Sequence, residues 1–201
     1  MDGSDRLLVA TTNTGKFDEI AALLAGVRLA IVSLASVPAV PEPDETGATF
    51  EENARQKATY YARATGLLTV AEDSGLEIDA LDGEPSVRSA RFPGETYPEK
   101  FENIFRRLDE RGHRDSPARF VCALALARGS QVLFEARGVV EGVITREPRG
   151  TGGFGYDPIF FYPPLGRTLA EIEAGDKHAV SHRGHAFRTL QAFLLDSERR
   201  G

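Results

Sequence analysis

Leu67-Leu68-Thr69-Val70-Ala71-Glu72-Asp73-Ser74-Gly75-Leu76-Glu77-Ile78-Asp79-Ala80-Leu81 is the stretch on which the fold turns. Its apolar, β-branched run gives way to two adjacent carboxylates, a hydroxyl and a glycine. That pattern predicts a buried strand delivering acid groups to its carboxyl end, where α/β folds place ligands. Neighbouring strand residues point to opposite faces, so Glu72 and Asp73 cannot both aim at one atom unless the strand bends, and Gly75 permits a bend. Carboxylate oxygens suit a hard cation such as Mg²⁺. Acid-rich turns also close many strands, so taken alone the stretch reads as a site or as a solvated turn.

On its amino-terminal side, residues 6–10 read as a short strand and Thr11-Thr12-Asn13-Thr14-Gly15-Lys16 as a loop before a helix in which Phe17, Ile20, Ala21 and Leu24 fall at helical spacing. Small polar residues, a lysine and a helix start together make an anion site, although the first glycine of a Walker A loop and the Ser/Thr after its lysine are missing. An ordinary polar connection is the other reading. Residues 27–32 suggest a second strand, and residues 38–47 carry too many prolines for regular structure. Asp44 and Glu45 precede a helix marked by Thr49 and Glu52 at capping-box spacing and ended by Gly66. On it Asn53 and Lys57 lie one turn apart and can face one ligand.

On the carboxyl-terminal side, residues 99–111 carry a helical apolar stripe, and residues 119–128 and 131–140, joined by Gly129-Ser130, predict a hairpin. In Gly150-Thr151-Gly152-Gly153-Phe154-Gly155-Tyr156-Asp157-Pro158, glycines let the backbone approach a flat ligand. Phe154 or Tyr156 offers a stacking face there and Asp157 an acceptor. Without a ligand it is a glycine loop entering a strand. Residues 176–187 open the last helix, with Ser181 as its cap and His182 and Arg183 on its first turn. His178, His182 and His185 raise a zinc reading, but Gly184 and the helix start interrupt the face, and Lys177 and Arg183 suit an anion better.

A chain of 201 residues is read as one domain, residues 1–201, and 41% apolar with 27% charged residues is ordinary for a globular protein. A net charge of -6 argues against nucleic acid as a partner. No apolar run has membrane-spanning length and the first residues lack a signal-peptide pattern, so no membrane partner is expected and the cytoplasm is the default location. Cys122, the sole cysteine, lies in an apolar run and reads as a core thiol.

These segments, with Glu45 to Ala54, Ser89-Ala90-Arg91 and Ser181-His182-Arg183 in the same order, resemble the inosine triphosphate pyrophosphatase family, which acts on non-canonical purine nucleoside triphosphates. The resemblance implies an α/β fold with an elongated mixed β-sheet, flanking helices and two lobes around a central cleft, a homodimer, and Mg²⁺ dependence. It implies hydrolysis of ITP, dITP and XTP to monophosphate and pyrophosphate. By the same resemblance Thr11, Thr12, Asn13, Thr14, Gly15 and Lys16 would hold the triphosphate, and Asp73 would be general base and metal ligand. Asp44 or Glu45 would be a second ligand, with Glu72 as an auxiliary one. Ser74 and Asn53 would touch substrate, and Lys57 and Lys177 would neutralise phosphate. Phe154, Gly155, Tyr156 and Asp157 would frame the purine while His182 and Arg183 read its six-position oxygen. The chain departs from the family's common residues at Glu72, usually aspartate, and at Ser86 and Arg88, where glycine and an aromatic are common. The rival readings are a septum-site-type nucleotide pyrophosphatase, which would carry a different N-terminal loop, and a non-catalytic nucleotide-sensing module, against which Asp73 and Lys16 both argue.

Overall fold

The computed structural model describes residues 5–200 and is α/β. Its seven strands are β1 (Arg6–Val9), β2 (Ala30–Ser33), β3 (Leu68–Ile78), β4 (Ser116–Arg128), β5 (Gln131–Ile144), β6 (Phe160–Tyr162) and β7 (Arg167–Thr168), and they form one sheet in the order β2-β1-β3-β4-β5-β6-β7. The sheet is mixed: β1 pairs parallel with β2 and β3, while β6 pairs antiparallel with β5 and β7.

The helices start and stop where local chemistry dictates. In α1 (Thr14–Leu23) Asn13 is the N-cap, its side chain accepting from the Lys16 amide. Thr49 and Glu52 form a complete capping box on α2 (Phe50–Thr65), which Gly66 ends in the left-handed conformation at φ 71°. A second box, Thr96 with Glu99, starts α3 (Tyr97–Glu110) two residues before the apolar stripe alone suggested. The final segment is broken in two, α4 (Ala174–Val180) and α5 (His182–Arg200), because Ser181 is extended at φ -74°, ψ 154°.

The organising strand departs from expectation. Rather than ending at Glu72-Asp73, β3 continues through Ser74 and Gly75 to Ile78, so both carboxylates sit in mid-strand. The reason is burial on both sides of them. Leu76 and Ile78 are fully buried, and the Leu76 amide donates to Ser89 Oγ at 2.9 Å, so the chain has no cause to surface after the acids. β2 begins at Ala30 rather than at residue 27, and β4 and β5 are each longer than the hairpin read from sequence.

The chain divides into two compact units, one of residues 5–73, Cys122–Gly138 and 183–200, the other of Ser74–Val121 and Val139–His182. Each has its own core. The first packs Leu7, Val9, Ile20, Leu24, Val70, Leu124, Phe187 and Leu190. The second packs Leu76, Ile78, Phe101, Ile104, Leu108, Phe120, Ile159 and Phe160. No helix of the described residues is long and apolar enough to cross a membrane.

Ser86 has φ +49°, a conformation that glycine adopts without strain, and its carbonyl accepts a 2.6 Å hydrogen bond from Ser89 Oγ. Gly150 has φ +82°, and a Cβ there would run into the Ala170 carbonyl and the Glu171 amide nitrogen. Gly150→Ala is expected to destabilise the protein by more than about 2 kcal/mol, since neither backbone neighbour can yield as a side chain would. Denaturant unfolding measures this, and a midpoint equal to that of the wild type would contradict it.

Candidate functional site

The alternation of β3 sends its two central carboxylates to opposite faces, and the structure supplies each face with different partners. On one face Asp73, buried, accepts from Asn53 Nδ2 through Oδ2 at 2.8 Å. Lys57, one helical turn from Asn53 on α2, places Nζ 3.6 Å from Asp73 Oδ1 and 2.6 Å from Glu45 Oε1. Burial raises the Asp73 carboxyl above its ordinary range, with Lys57 and the Asn53 hydrogen bond pulling the other way. For Lys57, burial disfavours the ammonium, but Asp73 and Glu45 outweigh it and the amine is raised.

On the opposite face Glu72 meets two cations. Lys16 Nζ, from the first turn of α1, lies 2.6 Å from Glu72 Oε1, and Arg183 Nη2, from the first turn of α5, lies 3.4 Å from the same oxygen. Arg183 also donates through Nη1 to Glu19 Oε2 at 2.7 Å, which makes a group of two cations and two carboxylates in which Glu72 and Arg183 are buried and Lys16 and Glu19 half-buried. Burial works against the Glu72 charge, yet Lys16 and then Arg183 prevail and hold its carboxyl well below the usual range. Cys122 Sγ donates to Glu72 Oε2 at 3.3 Å, and burial first, then the Glu72 charge, push its thiol well above the ordinary value. A protonated, inaccessible thiol is no nucleophile.

The loop before α1 presents Thr12, Asn13, Thr14 and Gly15 to solvent, with Thr11 half-buried. Thr11 Oγ1 accepts from the Asn13 amide at 3.2 Å, and Asn13 Oδ1 accepts from the Lys16 amide at 3.0 Å, which fixes the turn ahead of the helix start. Free amides and the positive end of the α1 dipole lie here beside Lys16, the ordinary makings of an anion site.

In the second unit, Asp157 Oδ2 accepts from the Phe154 amide at 2.8 Å and from Lys177 Nζ at 2.8 Å, and the Lys177 ammonium lies 4.9 Å from the Phe154 ring centroid. Gly153, at φ +67°, is what lets the pair close: a Cβ there would occupy the space of Asp157 Oδ2. Phe154 is half-buried, so part of it is open to a ligand. Gly155, at φ +70°, follows it. Tyr156 is buried, its hydroxyl donating to the Ser89 carbonyl at 2.8 Å, so its side chain is taken up by the core. His182 stacks on Phe120 with ring centroids 4.9 Å apart. Ser74, half-buried, follows Asp73 on β3. Of the residues named from the sequence, Asn53, Lys57, Glu45 and Asp73 meet on one face of β3 and Lys16, Arg183 and Glu72 on the other, while Phe154, Asp157 and Lys177 meet in the second unit.

Among the described residues no three or more His, Cys, Asp and Glu side chains group into a metal centre. What the chain does offer is a pair of carboxylate oxygens, from Glu45 and Asp73, about a single positive point, the Lys57 ammonium. Two hard donors with room for phosphate oxygens and water fit Mg²⁺, which keeps much of its hydration and rarely uses an all-protein cage. Asp44 is exposed, while Glu45 is half-buried and engaged.

Two residues of this site were given no role of their own by the sequence. Glu19 lies one turn beyond Lys16 on α1, a spacing that marks a shared face and could have revealed it. Gly47 is the other, and only packing reveals it.

The Ham1 family model matches residues 7–193. The dITP/XTP pyrophosphatase of Exiguobacterium sp. strain AT1b is 46% identical over 190 residues, 94% of this chain and 97% of that protein. The dITP/XTP pyrophosphatase of Geobacter sulfurreducens is 46% identical over 191 residues, 94% of this chain and 96% of that protein. The solved structure of a HAM1 protein from Coxiella burnetii superposes with a TM-score of 0.86 at 39% identity, covering 95% of this chain and 98% of that one.

Gly47 donates its amide to Asn53 Oδ1 at 2.8 Å, which orients the carboxamide so that its NH₂ faces Asp73. A Cβ at residue 47 would fall 2.6 Å from that same Oδ1 and 2.7 Å from Glu52 Cβ. Gly47→Ala is expected to expel the Asn53 amide from Asp73 at a cost of about 1–3 kcal/mol. Thermal unfolding and a crystal structure of the variant check this; unchanged stability with the Asn53 to Asp73 hydrogen bond intact would contradict it.

Proposed function

The chain belongs to the Ham1 family, and we propose that it hydrolyses non-canonical purine nucleoside triphosphates, ITP, dITP and XTP, to nucleoside monophosphate and pyrophosphate, cleansing the nucleotide pool. The observation that carries this reading is the setting of Asp73: a buried carboxylate steadied through one oxygen by Asn53, with Lys57 and Glu45 beside the other. Such a group can hold and deprotonate a water for in-line attack, the central requirement of phosphate-ester hydrolysis in which positioning and charge stabilisation do most of the work.

The other roles follow from the same contacts. The Thr11 to Lys16 turn and the α1 amides would receive phosphate oxygens, with Lys16 adding a charge that Glu72 keeps in place. Lys57 would stabilise the departing pyrophosphate. Glu45 and Asp73 would hold Mg²⁺, which when bound neutralises phosphate charge and lets an acidic chain accept a polyanion. Glu72 and Arg183 are read as the brace of Lys16, since each is already paired inside the first unit.

Base choice is assigned to the second unit. Phe154 supplies a stacking face kept in place by Lys177 and Asp157, and His182, stabilised by Phe120, supplies a polar group for a six-position carbonyl. Such a group pairs with hypoxanthine or xanthine and is left unpaired by the amino group of adenine, the kind of mismatch that discriminates strongly. Mg²⁺ as the natural metal, a homodimer, a single functional domain and a cytoplasmic setting complete the reading, supported by the family resemblance.

Two measurements test it. Pyrophosphate release is expected with ITP, dITP and XTP and to be far weaker with ATP and dTTP; equal rates across the panel would reject the substrate assignment. Asp73→Asn is expected to lower kcat by about 10²–10⁴-fold while nucleotide binding survives. Near-normal turnover in that variant would remove Asp73 as the base.

A further inference from the structure

Lys57 occupies an unusual place for a residue that is to meet phosphate. Its ammonium is not directed to open solvent: it lies 2.6 Å from Glu45 Oε1 and 3.6 Å from Asp73 Oδ1, the two oxygens assigned above to the divalent cation. The side chain is only 12% exposed. It springs from α2, whose register is fixed by the capping box at Thr49 and Glu52, so the backbone beneath it is anchored and only the four-carbon stem is free to change direction.

We propose that Lys57 and the divalent cation are mutually exclusive occupants of the Glu45 and Asp73 oxygens, so that arrival of the cation releases the ammonium to the phosphates. The inference takes its metal from the reading given under Proposed function. Its physical basis is charge. Glu45 and Asp73 repel one another, and Lys57 offsets that repulsion and holds both carboxylates in register. A dication bound to the same oxygens would repel an ammonium at this distance strongly in a buried setting, so the two cannot share them. Lys57 is thus a positioning residue for the metal seat first and a phosphate ligand second, and metal binding is coupled to the redeployment of a catalytic charge. Lys16 has a different post: it pairs with Glu72 on the opposite face of β3 and competes with nothing at Asp73.

The test is Mn²⁺ binding to the nucleotide-free protein, read from the electron paramagnetic resonance of free Mn²⁺. Removal of a competitor raises apparent affinity by the inverse of the competent fraction, so Lys57→Met is expected to bind Mn²⁺ at least about 10-fold more tightly than wild type. Lys16→Met removes the same charge from the other face and is expected to change the affinity by less than about 3-fold, the part owed to net charge. Equal affinity in wild type and Lys57→Met, equal gains in the two variants, or binding in none of the three would each overturn the proposal. Circular dichroism confirms folding, and Lys57→Gln replaces the methionine variant if that one does not fold. Pyrophosphate release from ITP by the wild type is recorded separately. Its absence alongside the expected Mn²⁺ pattern would sink the functional reading and leave the competition standing; its presence with an unchanged Mn²⁺ affinity would do the reverse.

Discussion

Two carboxylates side by side in the middle of a buried strand are a severe electrostatic demand. Each ion removed from water costs several kcal/mol unless a partner of opposite charge meets it in the interior. Because Glu72 and Asp73 point to opposite faces of β3, a single cation cannot serve both, and the chain must bring charge to each side. It does so from three helices. Lys16 arrives on α1 and Arg183 on α5 for Glu72, while α2 carries Lys57, with Asn53, to Asp73. The docking of these helices is therefore as much a matter of charge compensation as of the apolar surface they bury.

The two sides solve the problem differently, and the difference is where function enters. Glu72 has its charge met by two cations and by the Cys122 thiol, so protonation is driven far down and nothing is left for a substrate to use. Asp73 accepts from the Asn53 amide and lies 3.6 Å from the Lys57 ammonium, and for it burial prevails. Adjacent carboxyls shifted in opposite directions, Glu72 down and Asp73 up, are the separation that enzymes obtain by giving like groups unlike surroundings.

Much of this was legible in sequence. The alternation of faces at Glu72 and Asp73, the capping box at Thr49 and Glu52, and the shared direction of Asn53 and Lys57 follow from period and spacing, whereas the Thr96 and Glu99 box escaped because only the apolar stripe behind it was followed. The end of β3 was not legible. Two acids and a glycine are a sound stop signal for a strand that surfaces there, and only tertiary pairing makes continued burial tolerable. Gly47 was hidden for a related reason. No positive φ marks it, and its requirement is for space beside the Asn53 oxygen, which depends on how the proline-rich segment returns to α2. Tyr156 showed the opposite failure: its type suggested a ligand face, whereas its hydroxyl serves the Ser89 carbonyl within the core.

The same electrostatics accounts for a glutamate rather than a shorter acid at residue 72. The extra methylene carries Oε1 to a point where Lys16 and Arg183 both reach it, at 2.6 and 3.4 Å, and leaves Oε2 to accept from Cys122. A shorter side chain would draw the carboxylate back toward the strand by about one C–C bond, roughly 1.5 Å. Arg183, whose other nitrogen is held by Glu19, could follow only by loosening that bond. Glu72, Glu19 and the helix that bears Arg183 thus form one interdependent choice. The longer acid suits a role as the anchor of Lys16 and of the first turn of α5, while Asp73 on the other face of the strand answers to Asn53 and Lys57 of α2.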